Sequence, residues 1–466
     1  MRIKSLSLTN FRNIKNSKVE FRGENISGIY GPNGTGKTSV IEAIKLLKVY
    51  FSTPKEIKNK NFLEAEKEKI SDYIYQGEKY LEIALELEKK EEIYLIELAL
   101  ALNDFDGIMA LKESISVKLN KPRSKYKRLI SLENDISYAQ PKIFLYEKDL
   151  EKKSTDYFRK IQKEIFDKNK TSVQGIILEL GNFNSFASIL SRETFKLKDS
   201  QNKMSLFSQK ILDICKKLKM LKESFRNITV ISLKEQALSN LEIVIPIKVN
   251  AQGTIPVCCK GKENNIYNEA EMEAIKETVE NINKLFPLLV QDAKLECETQ
   301  LVLQNEEEKK YSIEIFVNKN GKHVNIYNES TGTIKLFMLM SALINILKDE
   351  DSILLVDELD VHIFEYLLAY ILGLLSGYSK GQLIFTAHNL LPMEKLNRDS
   401  IILTSYVDNN VIYEYFKGKI SSSTNLRLKY LKALYLWSED NIEPLNIKES
   451  KVESTIRELQ EWRKTK

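Results

Sequence analysis

The run Gly31-Pro32-Asn33-Gly34-Thr35-Gly36-Lys37-Thr38 limits what this chain can become more than any other segment. It matches the phosphate-loop pattern G-x-x-x-x-G-K-[ST]. An extended apolar run with Ile26, Ile29 and Tyr30 precedes it, and a helical run with Val40, Ile41, Ala43, Ile44 and Leu47 follows. Glycines at these positions let successive N–H groups converge on a phosphate, and the helix behind offers its positive end. Asn33, Gly34, Thr35, Gly36, Lys37, Thr38 and Ser39 are the expected nucleotide contacts. Lys37 is expected at the β/γ oxygens, as a catalytic group, and the Thr38 hydroxyl on Mg²⁺.

Three later motifs complete such a site. Glu329-Ser330-Thr331-Gly332-Thr333 opens an apolar helix, where Ser330 and Gly332 can offer a hydroxyl and free amides to a phosphate. A plain helix cap is the other reading of that turn. Ile353 to Val356 is a continuous apolar run ending in Asp357-Glu358, the pattern of a buried parallel strand with carboxylates at its carboxyl end. Asp357 is expected to hold Mg²⁺ through water, and Glu358 to act as general base on the attacking water. The strand Gln382–Ala387 then ends in His388-Asn389, where His388 suits a γ-phosphate sensor. Asp360 reads equally well as a helix cap or as part of a loop facing another subunit.

Around these motifs, Ile3 to Phe21 reads as two strands and Tyr80–Leu87 with Ile93–Leu102 as a hairpin turning at residues 88–92. The stretch 151–225 reads as helical, without the regular heptads of a coiled-coil arm. Strands resume at 228–233 and 241–249, Gly253–Asn265 reads as a loop, and an acidic helix runs over 268–285 until Pro287. A second hairpin, 311–326, turns at Asn320-Gly321. The expected organisation is 1–150, an N-terminal lobe with phosphate loop and β arm; 151–290, a mainly helical insertion with returning strands; 291–420, a C-terminal lobe; and 421–466, a helical tail.

Composition adds limits. The 466 residues carry 43% hydrophobic side chains, ample for packed cores. No apolar run approaches the roughly 20 residues that span a bilayer, so no membrane partner is expected. The opening Met1-Arg2-Ile3-Lys4 alternates like a strand rather than a signal peptide. The 4 cysteines lack metal-ligand spacing, which fits a reducing, cytoplasmic setting. A net charge of +5 permits nucleic-acid binding without arguing for it. The basic clusters Lys118 to Arg128 and Lys216 to Lys222 are candidate contacts, with Lys125-Tyr126-Lys127 able to stack a base; solvated faces are the simpler reading.

Taken together, Asn10-Phe11-Arg12, Gly31–Thr38, Glu329–Thr333, Asp357–Glu358 and Thr386–Asn389 resemble the ABC-type ATPase heads of the chromosome-maintenance, RecF-like and OLD-like families. The wording of Asp357-Glu358-Leu359-Asp360 and Gly381–Thr386 is similar to ATPases of bacterial anti-phage systems of the PARIS kind. The resemblance implies an α/β fold: an ABC-type, SMC-like P-loop head with a mixed sheet, an antiparallel β arm and a helical insertion. It implies ATP with Mg²⁺, and a homo-oligomer, dimer or higher, in which Ser330 of one copy completes the phosphate loop of another. It further implies a separate effector nuclease or toxin and a phage-encoded trigger. The chain after residue 416 is too short for a TOPRIM nuclease and lacks its carboxylate set. The alternative is a RecF-like repair ATPase that loads on DNA. Arg12 is implied at the nucleotide, against the reading of an exposed strand-end arginine. A metal-binding glutamine is implied too, with Gln76, Gln140 and Gln174 all open.

Overall fold

The computed structural model describes residues 1–51, 70–102, 108–133, 142–145, 206–232, 244–249, 253–258, 266–290, 292–304, 309–417, 424–435 and 454–456. The predicted helical stretch falls on residues outside this set up to 205; Leu206–Arg226 is a helix.

A 6-stranded sheet organises the molecule, in the order β19-β18-β3-β17-β16-β9. Its strands are β3 (Ile26–Tyr30), β9 (Ile228–Ser232), β16 (Ile353–Asp357), β17 (Gln382–Thr386), β18 (Ile401–Val407) and β19 (Asn410–Glu414). All neighbours are parallel except β18 and β19. Every residue of β3, β16 and β17 is buried. That explains their uninterrupted apolar wording, since a parallel sheet is covered on both faces. Alternation assigns the faces: Ile353 and Leu355 join one core, Leu354 and Val356 the other.

The first core holds α1 (Lys37–Phe51), α3 (Leu206–Arg226) and a 7-stranded antiparallel sheet. That sheet runs β2 (Ile14–Glu20), β1 (Arg2–Phe11), β4 (Tyr80–Lys89), β5 (Glu92–Leu102), β6 (Ile108–Leu119), β7 (Lys127–Glu133), β8 (Lys142–Leu145). The predicted hairpin is therefore the middle of a larger sheet, and its turn is tighter than residues 88–92: the strands reach Lys89 and Glu92, and Lys90 takes φ 56. The short α2 (Ile70–Tyr73) packs against the end of β1, where Arg12 N–H donates to the Tyr73 carbonyl at 2.6 Å. A buried side chain ties the two sheets together. Gln382 of β17 accepts from the Ile3 amide at 2.8 Å and donates to the Ile3 carbonyl at 3.0 Å, completing backbone groups as a strand would.

The second core holds α4 (Glu269–Ile282), α6 (Thr331–Lys348), α7 (Glu365–Tyr378), α8 (Leu426–Tyr435) and a small sheet. In that sheet β14 (Lys309–Lys319) pairs with β12 (Ile266–Asn268), β13 (Ala293–Gln304) and β15 (Lys322–Asn325). Asn320 and Gly321 both have positive φ, 52° and 77°, as a type I′ turn requires.

Three expectations need correction. Gly253–Asn265 is not wholly a loop, because Gly253–Cys258 forms β11 against β10 (Val244–Val249). The acidic helix starts on a capping box, Asn268 with Glu271, but ends at Ile282. Pro287 does not stop it; Pro287 lies in the first turn of α5 (Phe286–Leu289), where its missing N–H costs nothing. Finally, α6 is one helix long and apolar enough to cross a membrane by length and composition, and it is mostly buried inside the protein.

Candidate functional site

The phosphate loop joins β3 to α1. Gly34 and Gly36 take φ 79° and 77°, the left-handed conformation that costs other residues most. Asn33 and Gly34 are exposed, whereas Thr35, Gly36, Lys37 and Ser39 are buried. Lys37 Nζ lies 2.8 Å from both the Gly31 and Pro32 carbonyl oxygens, so the ammonium sits over the loop. The rim is braced from distant segments that carried no signal in the sequence. Asn13 donates to the Gly34 carbonyl. Tyr413 Oη of β19 donates to the Gly36 carbonyl at 2.8 Å. The Thr35 and Thr404 hydroxyls are 2.5 Å apart.

The carboxyl end of β16 meets this loop. Thr38 Oγ1 donates to Asp357 Oδ1 at 3.1 Å, bringing together residues 319 positions apart. Asp357 is 2% exposed and also accepts from Thr386 Oγ1 at 2.6 Å. Thr386 in turn accepts from the Glu358 amide at 2.8 Å. The Thr386 hydroxyl, in the sequence the first residue of the Thr386–Asn389 motif and the end of a strand, fixes both carboxylate residues. A hydroxyl and a carboxylate oxygen side by side suit a hard cation such as Mg²⁺, which favours oxygen donors and takes few of them from protein. The loop glycines and Lys37 likewise suit a triphosphate.

Glu358 is half-buried with φ 53° and follows the strand directly. Asp360, three residues past Asp357, accepts through Oδ2 from the His388 amide at 2.9 Å and the Asn389 amide at 2.7 Å. It thus holds the turn after β17, which accounts for it without a second subunit. His388 itself is exposed. Ser330 is also exposed and caps α6, accepting from the Thr333 amide at 3.2 Å. Gly332 packs so closely that an added Cβ would lie 2.6 Å from the His362 carbonyl oxygen. Asp357, Thr386 and the Glu358 amide thus meet the phosphate loop through Thr38, while the Ser330–Gly332 turn packs on the segment after Glu358, at His362.

Beneath them lies a residue the sequence reading passed over. Lys335 is 1% exposed, and its ammonium donates to the carbonyls of Glu358 at 2.6 Å and Val361 at 2.7 Å. Burial lowers its pKa to about 8, against the pull of Asp360, Glu358 and Asp357. Tyr30, at the end of β3, is fully buried; its pKa is raised by burial and by the Asp360 charge.

The remaining candidates are placed as follows. Arg12 lies at the end of β1 with φ 53° and pairs with Glu42 of α1 through two contacts of 2.7 and 2.6 Å. Its guanidinium also sits 5.2 Å from the Tyr73 ring centroid. Of the glutamines, Gln76 is exposed in a turn next to Tyr75, whose amide donates to the Asn10 carbonyl at 2.9 Å; Gln140 and Gln174 lie outside the described residues. Lys121, Arg123 and Lys125 are exposed between β6 and β7, as is Lys127 at the start of β7. Tyr126, however, is not offered to a base: its hydroxyl donates to Glu86 at 2.6 Å and Lys118 Nζ covers its ring at 4.2 Å. Lys217 of the second cluster pairs with Glu92 at 2.6 Å. His323 stacks on Phe316, as a packing residue.

The profile of the AAA ATPase domain family matches residues 1–390. The chain is similar to the Retron Vc95 probable ATPase of Vibrio cholerae serotype O1 biovar El Tor, 20% identical over 438 residues, covering 88% of this chain and 74% of that protein. It is also similar to the DNA replication and repair protein RecF of Clostridioides difficile (strain 630), 47% identical over 47 residues, which is 10% of this chain and 12% of that protein. RecF of Chlorobaculum tepidum is 53% identical over 45 residues, 9% of this chain and 12% of that protein. The chain thus spans about 12% of the length of the RecF proteins it matches. Among solved structures, the Smc head bound to the C-winged helix domain of ScpA aligns at TM-score 0.40 and 16% identity, covering 93% of this chain and 100% of that one. The SMC head domain from Thermotoga maritima aligns at TM-score 0.38 and 14% identity, covering 90% and 100%.

Proposed function

Since this chain belongs to the AAA ATPase domain family, and is an ATPase on that ground, we propose that it is the sensor and scaffold subunit of a bacterial anti-phage system. In this reading it acts in the cytoplasm as a homo-oligomer and restrains a separate nuclease or toxin until a phage protein is met. The observation that carries the ATP chemistry is the run of contacts from Thr38 through Asp357 and Thr386 to the Glu358 amide. Bound Mg²⁺ would neutralise charge on the phosphates, with Thr38 and Asp357 as its protein side. With the nucleotide bound, Lys37 and the loop amides would orient the triphosphate, Glu358 would take a proton from the attacking water, and His388 would serve the outer phosphate.

The defence assignment is supported by the breadth of likeness to the Retron Vc95 probable ATPase, 438 residues. The finer resemblance of Asp357–Asp360 and Gly381–Thr386 to AriA of the PARIS system points the same way. RecF-like DNA loading is the second reading, favoured by the short matches at higher identity. Those matches cover 47 and 45 residues, about a tenth of this chain, against 438 residues for the retron ATPase, so they weigh less for a shared substrate.

The test is to express the chain with the product of its adjacent gene and challenge the cells with a phage panel. Wild type should reduce plaque formation, and Lys37→Ala should abolish protection along with nucleotide binding. Glu358→Gln should retain ATP without turnover. ATP-dependent clamping of the purified chain on gapped duplex DNA, with no protection in cells, would replace the defence reading by the repair one.

A further inference from the structure

Lys335 has no role in the chemistry described so far, yet its surroundings are unusual. An ammonium removed from water is costly unless its donors are met. Here two are met by main-chain carbonyls of one short turn, Glu358 and Val361. That turn is tightly specified: Glu358 and His362 both adopt left-handed φ, 53° and 63°. The Leu359 amide donates to the Thr386 carbonyl at 2.9 Å. A non-glycine residue keeps such a conformation only where its neighbours impose it. Asp357, Glu358 and Asp360 are the charged groups around the ammonium, with Tyr30 facing Asp360.

Lys335 also stands one turn of helix beyond the Ser330 cap, on α6. Its Nζ therefore joins the helix that opens with Ser330–Gly332 to the segment that carries Glu358. Gly332 touches the same segment at His362. These two contacts, one at the Glu358 carbonyl and one at the His362 carbonyl, tie the start of α6 to that turn.

We propose that Lys335 is a positioning residue that holds the Glu358 backbone in its left-handed turn and couples that turn to Ser330–Gly332. The inference rests on the ATPase reading above and names how the same site is assembled. Turnover should depend on Lys335, while ATP binding, which uses the phosphate loop, should not.

The experiment compares Lys335→Met, Lys335→Gln and Lys335→Arg in the full chain, measuring steady-state ATP hydrolysis and affinity for a fluorescent ATP analogue. In Lys335→Met, kcat should fall at least tenfold with affinity within threefold of wild type, and Lys335→Arg should recover most of the loss. If Lys335→Met melts early, Lys335→Gln serves in its place, since its neutral amide is one atom shorter and does not span both the Glu358 and Val361 carbonyls. Turnover like wild type in either variant overturns the proposal, as does a fall in affinity matching the fall in kcat. Absence of hydrolysis in wild type, by contrast, would refute the ATPase reading itself.

Discussion

Thr386 Oγ1 lies 2.6 Å from Asp357 Oδ1 and 2.8 Å from the Glu358 amide, inside a residue 1% exposed. Replacing it with valine keeps the shape and removes both partners. A buried group left unsatisfied costs about 1–3 kcal/mol, so Thr386→Val should lower Mg²⁺-dependent ATP hydrolysis on the order of tenfold to a hundredfold. Thr386→Ser should stay near wild type. Equal hydrolysis by the valine variant at limiting Mg²⁺ would show that Asp357 is positioned without it. The sequence could not single out this hydroxyl, because a threonine at the end of an apolar strand is an ordinary strand former. Gly31–Thr38 was legible for the opposite reason: its glycines, lysine and hydroxyl are adjacent, and their geometry is local. Lys335 was invisible because a lysine between apolar helix positions looks like a solvated one, and only the turn at Glu358–Val361 makes it a buried donor.

Elements differ in how far their own residues determine them. The helix α4 announces its start through Asn268 and Glu271, and the hairpin at Asn320-Gly321 through two residues that tolerate positive φ. The strand β11 does neither; it pairs with β10 as a local hairpin through Pro246 opposite Pro256, and a proline, having no N–H for the ladder, weakens the strand signal in both segments. Strand β6 was missed because it carries polar residues inward. Glu113 is fully buried and accepts from Tyr50 at 2.8 Å, which breaks the apolar alternation that marks a strand. The start of α6 offers a test at this scale. An added Cβ on Gly332 would meet the His362 carbonyl at 2.6 Å. Gly332→Ala should therefore force the Asp360–Ile363 segment away and cost about 1–3 kcal/mol of stability. Thermal unfolding would report it as a lower Tm, and an unchanged Tm would mean that this loop gives way freely.

At the scale of the whole molecule, the site unites residues that are far apart in the chain, Thr38 with Asp357 and Thr35 with Thr404. The order of the motifs was readable, while the sheet that gathers them needed β3 to sit between β17 and β18. One matter extends beyond a single copy. Ser330 is exposed and caps its own helix, so nothing within the chain requires it to serve its own phosphate loop. If the pocket is shared, Lys37→Ala and Ser330→Arg damage opposite halves of it, and neither variant alone should turn over ATP. Mixed in equal amounts with exchange of subunits, half of the dimers are mixed. In each of these, one pocket combines both defects and the other combines two intact halves, so about a quarter of wild-type turnover should return. Loss of the Ser330 cap costs only about 1 kcal/mol, so misfolding would not imitate the result. Recovery on mixing would require a partner's Ser330 at the nucleotide, whereas two inactive proteins that remain inactive while exchanging subunits would confine each pocket to one chain.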